Sequence, residues 1–408
     1  MRICVIEIKS LILRSKQRLL IKSRRMEKYI KALGVEYLAD AVTDEFGVKY
    51  SPDGTRLLKA PQDLRGSYTI KPGTKDIRCC AFSWCSSLAS ITIPDGVTSI
   101  GHGAFWLCSS LASVTIPDSV TSIGDDAFGG CSLLESITIP ASVKEFKGTP
   151  FCNWNGELVN KSPFFVYEDG VLFSKNKDQL IAFRRQDVTS YVIPDSVTSI
   201  GDNAFYGSSA LTSVTIPDTV TRIGDGAFSR CPSLTSIAIP ESVRSIGKNA
   251  FYGCSSLTSI NIPDGVTCIG DHTFAWCESL MSINIPGSVT SIGANAFGGC
   301  SSLTSIVIPD SVTSIGYSAY GGCSSLTSIV IPNSVTSIEE NAFGFCSSLA
   351  SIVIPDSVTS IGDTAFEECG SLSDDTKAEI LRRFGERVFL TTNELVEEDL
   401  LRQGIVFD

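Results

Sequence analysis

Histidine is nearly absent from this sequence, at two residues in 408. A nucleophile activated by histidine and oriented by a third group needs all three within hydrogen-bond reach. His102 and His272 both fall in a variable pair between a glycine and a buried-type aromatic, seven repeats apart, so no such set can be built and both read as surface histidines. No unique carboxylate pair stands outside the repeat columns described below, which argues against a glycosidase-type acid pair; no catalytic residue is expected and the chain reads as a non-enzyme. No run of 18 uncharged apolar residues occurs, so no transmembrane helix is expected. There is no CxxC pair for structural zinc and no GxxxxGKS phosphate loop, so no metal and no cofactor are expected. Clustered cations are missing from the repeats and the formal charge is -11, which argues against a nucleic-acid partner.

Positive charge gathers in one place. Residues 1–25 hold eight Lys or Arg and one acid. Glu7 and Lys9 interrupt the apolar part, and only basic residues follow it, so this is a poor secretory signal. It reads as an upstream extension of a chain starting at Met26, or as a basic amphipathic helix touching anionic lipid.

What is abundant is repetition. CSSLTSIVIPDSVTSIG at 300–316 recurs from Cys323 and Cys346 at a spacing of 23. The same phase runs through Cys85, Cys108 and Cys131, and again from Cys231 to Cys369, with Ser208 in the same slot. Within a unit, Leu303, Ile306 and Ile308 mark a short strand whose flanking Ser305 and Val307 face outward. Pro309 stops it, because proline donates nothing to a ladder, and Pro309-Asp310 suits the two central positions of a turn. Val312 and Ile315 return inward, Gly316 bends the chain, and Ala296 with Phe297 closes the coil from inside. One unit cannot bury its apolar face alone, so stacked coils must share a core and both ends need caps.

The string LTSIxIPDSVTSIGxxAFxGCSS, over about residues 68–372, resembles the BspA-type leucine-rich repeats of bacterial surface proteins. That resemblance implies a repeat solenoid: a right-handed leucine-rich-repeat coil with a parallel β-sheet on one face and no active site. It also implies a protein-binding role in adhesion, to host or matrix proteins. An intracellular scaffold of the same fold is the alternative, favoured by the weak export signal and the many thiols.

Eight extra residues separate Pro140 from Pro194 beyond two periods. FFVYEDGVLFSKNKDQLIAFRR there reads as an antiparallel meander with turns at Asp169-Gly170 and Lys175 to Asp178. It has a twin: Val48, Tyr50, Leu57 and Leu58 precede Val171, Phe173, Leu180 and Ile181 by 123 residues. The expected organisation is a basic extension at 1–25; an N-terminal helix (26–42) and meander cap within 26–67; a first repeat run at 68–152; a meander insertion at 153–190; a second run at 191–372; and a helical cap at 373–408. In that cap, Ser373, Asp374 and Asp375 suit a helix N-terminus, with Ile380, Leu381 and Phe384 as the apolar stripe.

Ten of the fifteen cysteines keep the repeat spacing and read as a column of buried thiols. Aspartates after the prolines, from Asp95 to Asp356, form another column, read as turn formers rather than calcium ligands because Ala141, Gly287 and Asn333 replace the acid elsewhere. Specificity must sit where columns vary. Trp84, Trp106, Tyr206, Tyr252, Trp276 and Phe345 occur within two residues of the Ala-Phe pair, where glycine is otherwise usual, and are candidate partner-binding anchors. Trp154 and Tyr167, with Phe164 and Phe165, make the insertion a second candidate docking surface. The strand-face column, polar at Thr92 and apolar at Val307, Val330 and Val353, is a third.

Overall fold

A single repeat shows why the chain coils. Along Leu280–Ile285, Leu280, Ile283 and Ile285 are buried while Met281, Ser282 and Asn284 are exposed, the alternation of a half-buried strand. Pro286 ends it. Val289 N donates to Pro286 O at 3.1 Å, and Val312 N to Pro309 O at 3.0 Å. The proline is therefore the first residue of the turn, not a central one as its dipeptide suggested. Lacking an N–H, it ends the ladder yet keeps a carbonyl free to accept. In several coils the serine two positions after the proline ties the turn to the preceding coil. Ser288 Oγ donates to Val266 O and Ser334 Oγ to Val312 O, each at 2.6 Å.

The structure is a computed structural model and describes residues 38–402. The segment 1–25 and most of the helix expected over 26–42 lie outside the described residues; at the end of that helix, Leu38–Asp40 forms a 3-10 turn and Val42 begins a strand. The fold is a parallel-strand β-solenoid, in two compact units that divide between Glu145 and Phe146.

In the first unit, Val42–Thr43, Lys49–Tyr50 and Arg56–Lys59 form an antiparallel meander. Its last strand pairs in parallel with Asp76–Ile77, and the ladder continues through Ser99–Ile100 to Ser122–Gly124. A second parallel ladder joins Gly66–Thr69, Leu88–Thr92 and Ser113–Thr115.

The second unit repeats this plan. Phe165–Glu168, Val171–Ser174 and Gln179–Phe183 form the meander, and the last strand pairs in parallel with Ser199–Ile200. Asp169 and Gly170 both have positive φ, 47° and 76°, the conformation a two-residue hairpin turn requires. The 123-residue offset holds in the pairing: Leu57 faces Ile77 as Leu180 faces Ile200. An antiparallel edge in front of the first coil covers backbone groups that would otherwise offer themselves to another strand.

Two parallel ladders then run through the coils of the second unit, one at Ser213–Thr215 and its successors, the other at Arg222–Ile223 and its successors, always 23 residues apart. The second ladder, at the Thr-Ser-Ile segment, was not expected from the sequence. A third seam of backbone bonds joins Phe205 N to Ala227 O and Phe228 N to Ala250 O, each at 2.7 Å. At the coil corner Gly247 answers to space rather than to φ, since a Cβ there would lie 2.4 Å from Asp225 N.

The core is a column of rings. Phe205, Phe228, Phe251, Phe274 and Phe297 stack in turn, then Tyr320, Phe343 and Phe366, and Phe82, Phe105 and Phe128 stack in the first unit. Beside them runs the cysteine column, fully buried from Cys231 to Cys346 at its own phase. Each thiol donates to a phenylalanine or tyrosine carbonyl 26 residues earlier: Cys254 to Phe228 O at 3.1 Å and Cys277 to Phe251 O at 3.2 Å. Ser208 breaks the series. Its hydroxyl is buried and has no partner. Ser208→Cys should therefore raise stability by about 1 kcal/mol, by removing an orphaned polar group and filling the slot with sulphur. A urea midpoint equal to or below that of the parent would show that the hydroxyl is satisfied in solution.

At the C-terminus, helix Asp374–Phe384 begins where Ser373 accepts from Thr376 N, and Ile380 is buried against the core. Leu381 is 40% exposed, so the apolar stripe is narrower than its spacing suggested. Phe389 adds a last ring 5.7 Å from Phe366. A further helix, Thr392–Arg402, follows.

Candidate functional site

The rim turn after each Ala-Phe pair forces a peculiar backbone on one residue. The position before the cysteine, or before Ser208, has positive φ in coil after coil; glycine takes it at Gly130, Gly207, Gly253, Gly299 and Gly322, and Leu107, Arg230 and Glu368 take it in three others. In three coils a large aromatic stands there instead: Trp84 at φ 67°, Trp276 at 62° and Phe345 at 61°. A bulky side chain in that region is strained by roughly 1 kcal/mol or more. All three are also exposed, Trp276 to 54%. Burial does not account for them.

Trp106 occupies the neighbouring slot and meets Trp84 edge to face, ring centroids 5.2 Å apart. Together they form a two-indole patch on the first unit. In the second unit Tyr206 and Tyr252 are half-buried, and the Arg230 guanidinium lies 5.9 Å from the Tyr206 ring. Trp276 leans over Gly299 of the next coil, where an added Cβ would lie 2.9 Å from its ring. Of the strand-face column, Val307, Val330 and Val353 are exposed.

The insertion differs from its sequence reading. Trp154 is only 2% exposed and cannot be a docking anchor; the Arg184 guanidinium covers it at 4.3 Å. Tyr167 is half-buried, and Phe164 keeps an exposed edge. Arg184 Nη2 donates to Trp154 O at 3.2 Å and Gly156 O at 2.7 Å, while Nε and Nη1 are buried without partners. Burial pulls its pKa down and the Tyr167 hydroxyl pushes it back up. Sequence reasoning missed this residue. The signal was a cation at the end of an apolar strand, in LIAFRR.

Among the described residues, no helix is long and apolar enough to cross a membrane. The leucine-rich-repeat solenoid is generally a non-enzymatic binding scaffold, and no catalytic family is indicated.

Comparison with known proteins agrees with this architecture. A leucine-rich repeat protein from Eubacterium ventriosum superposes with a TM-score of 0.56 at 24% identity, over 84% of this chain and 95% of that one. A leucine rich cell surface protein from Faecalibacterium prausnitzii gives 0.45 at 28% identity, over 85% and 98%. No curated protein matches the sequence. The family model described as BspA type Leucine rich repeat region matches in six copies over residues 66–162, 180–304 and 290–398. With most of its length matched, this chain belongs to the BspA-type leucine-rich repeat family.

Proposed function

We propose that this protein is a non-catalytic recognition module of the adhesion type, which engages a protein partner through its aromatic rim and the adjoining strand face. The single observation that carries this reading is the set of exposed aromatics held at positive φ in a slot where five sister coils use glycine. Strain without burial is what a contact surface produces and what gap-filling does not. Large aromatics supply most of the binding energy in typical protein interfaces.

The alternative, an intracellular scaffold, drew on the thiol count. Eleven of the fourteen described cysteines are buried, and buried thiols are inert whatever the compartment. That support for a reducing environment falls away.

The test is a triple variant, Trp84→Gly, Trp106→Ala and Trp276→Gly, assayed against a panel of immobilised matrix proteins. It should keep its fold and lose at least tenfold in affinity. Trp276→Gly should also be more stable than Trp276→Ala by about 1 kcal/mol, reversing the usual order, because glycine relieves the left-handed strain. Undiminished binding by the folded triple variant would reject the rim. Failure of the parent protein to bind any matrix protein would favour the scaffold.

A further inference from the structure

We propose that Cys79, Cys80 and His102 bind a thiophilic divalent cation, zinc, on the rim of the first unit. Their ligand atoms all lie within 4.8 Å of one another. The two sulphurs are 3.8 Å apart. Two thiolates at about 2.3 Å from one zinc ion, with a tetrahedral angle between them, stand about 3.8 Å apart, so the pair is already spaced for a shared ion.

The coil register builds this cluster. Cys79, His102 and Asp125 occupy one slot of three successive repeats, 23 residues apart, and Cys80 occupies the slot of Gly103 and Asp126. Backbone bonds fix the alignment, Cys80 N to His102 O and Gly103 N to Asp125 O, both at 2.8 Å. Column stacking therefore delivers two thiols from one coil and an imidazole from the next.

Four further observations separate this pair from the structural thiols. Both cysteines are only partly buried, whereas the column from Cys85 onward is closed to solvent. Cys80 sits at φ 56°, a conformation that elsewhere in this slot falls mostly to glycine or asparagine. Asp125 Oδ2 stands 3.8 Å from His102 Nδ1, placing a carboxylate behind the imidazole as metal sites commonly do. Lys59 Nζ donates to Cys80 O at 2.7 Å and to Ser83 Oγ at 3.1 Å, bringing a cation beside the sulphurs.

Two thiolates balance the charge of a zinc ion. The donor set is Cys2His, leaving a fourth position for water or a side chain of a partner.

The experiment uses the full chain, reduced, freed of metal with a chelator and desalted. Titration with cobalt(II) as a spectroscopic stand-in should give one ion per chain, with thiolate-to-cobalt charge-transfer bands and tetrahedral visible bands, and zinc should displace it. Cys79→Ser and Cys80→Ser should each abolish the charge-transfer bands or halve them with a loss of at least a hundredfold in affinity. His102→Gln and Asp125→Asn should weaken binding by about tenfold to a hundredfold. Cys268→Ser, at an exposed lone thiol, should change nothing. Circular dichroism and thermal melting confirm that each variant is folded. The proposal fails if Cys80→Ser binds cobalt as the parent does, or if the folded, reduced parent binds none. It also fails if the isolated protein, denatured without reductant, shows two thiols fewer than the fifteen in the sequence, since the pair would then be a disulfide.

Discussion

Raising the pH above 9 should unfold this protein progressively, with most of its stability gone before pH 12. Burial pushes the Cys231 and Cys300 thiols up from 9 to about 12, and it raises Cys254, Cys277, Cys323 and Cys346 well above their ordinary value. A folded-state pKa above the unfolded one means that the native chain holds more protons in the window between them. Stability is then fully present below the unfolded value and is lost as pH rises toward the folded one. Each such thiol removes about 1.4 kcal/mol per pH unit in that window. Midway through it, Cys231 and Cys300 together have removed roughly 4 kcal/mol, a large part of the stability of an ordinary domain. Urea unfolding at a series of alkaline pH values measures the slope. The double variant Cys231→Ala, Cys300→Ala should start less stable, because it loses two buried sulphurs, yet its stability should fall with pH less steeply by about 2.7 kcal/mol per unit. An unchanged slope would mean that the thiols ionise without unfolding the chain, and that the column is open to water.

Phe274→Ala should be the most damaging single substitution in the second unit, at about 3–5 kcal/mol. The ring is fully buried and stacks on Phe251 at 5.5 Å and on Phe297 at 5.6 Å, so truncation removes two ring contacts and leaves a cavity between coils. Because each coil contacts only its neighbours, the damage should be local. Hydrogen exchange should accelerate first in the strands Ser259–Asn261 and Ser282–Asn284, which flank the cavity. Phe274→Leu, which fills most of the volume, should cost less than half as much. A loss below about 1 kcal/mol for the alanine variant would show that the ring column is not the main source of stability.

Both predictions rest on positions that could be read directly from the spacing. Leu303, Ile306, Ile308, Val312, Ile315 and Phe297 are all buried as their phase required, and Val307 is 80% exposed. The pairing of the two meanders followed from the 123-residue offset, because Tyr50 and Phe173 take equivalent places in their hairpins. The site was less legible. Trp154 sat in a polar stretch, CNWNGE, which gave no hint that Arg184, thirty residues later, would cover it. The CxxC spacing of structural zinc does not point to Cys79 and Cys80, because in a solenoid the relevant spacing for a ligand is the repeat itself. Cys79 and His102 are neighbours in space because they are one period apart in sequence.

The sequence by itself therefore determined the period, the inward columns, the proline and glycine punctuation and the restart at the second meander. These depend on alternation and turn chemistry within one unit, and that information is local. Only the tertiary structure decided which rim aromatics stand in solvent, which are covered, where the strained φ values fall and which thiols meet an imidazole. Those outcomes depend on what the next coil presents at the same phase, and stacking alone brings the two together.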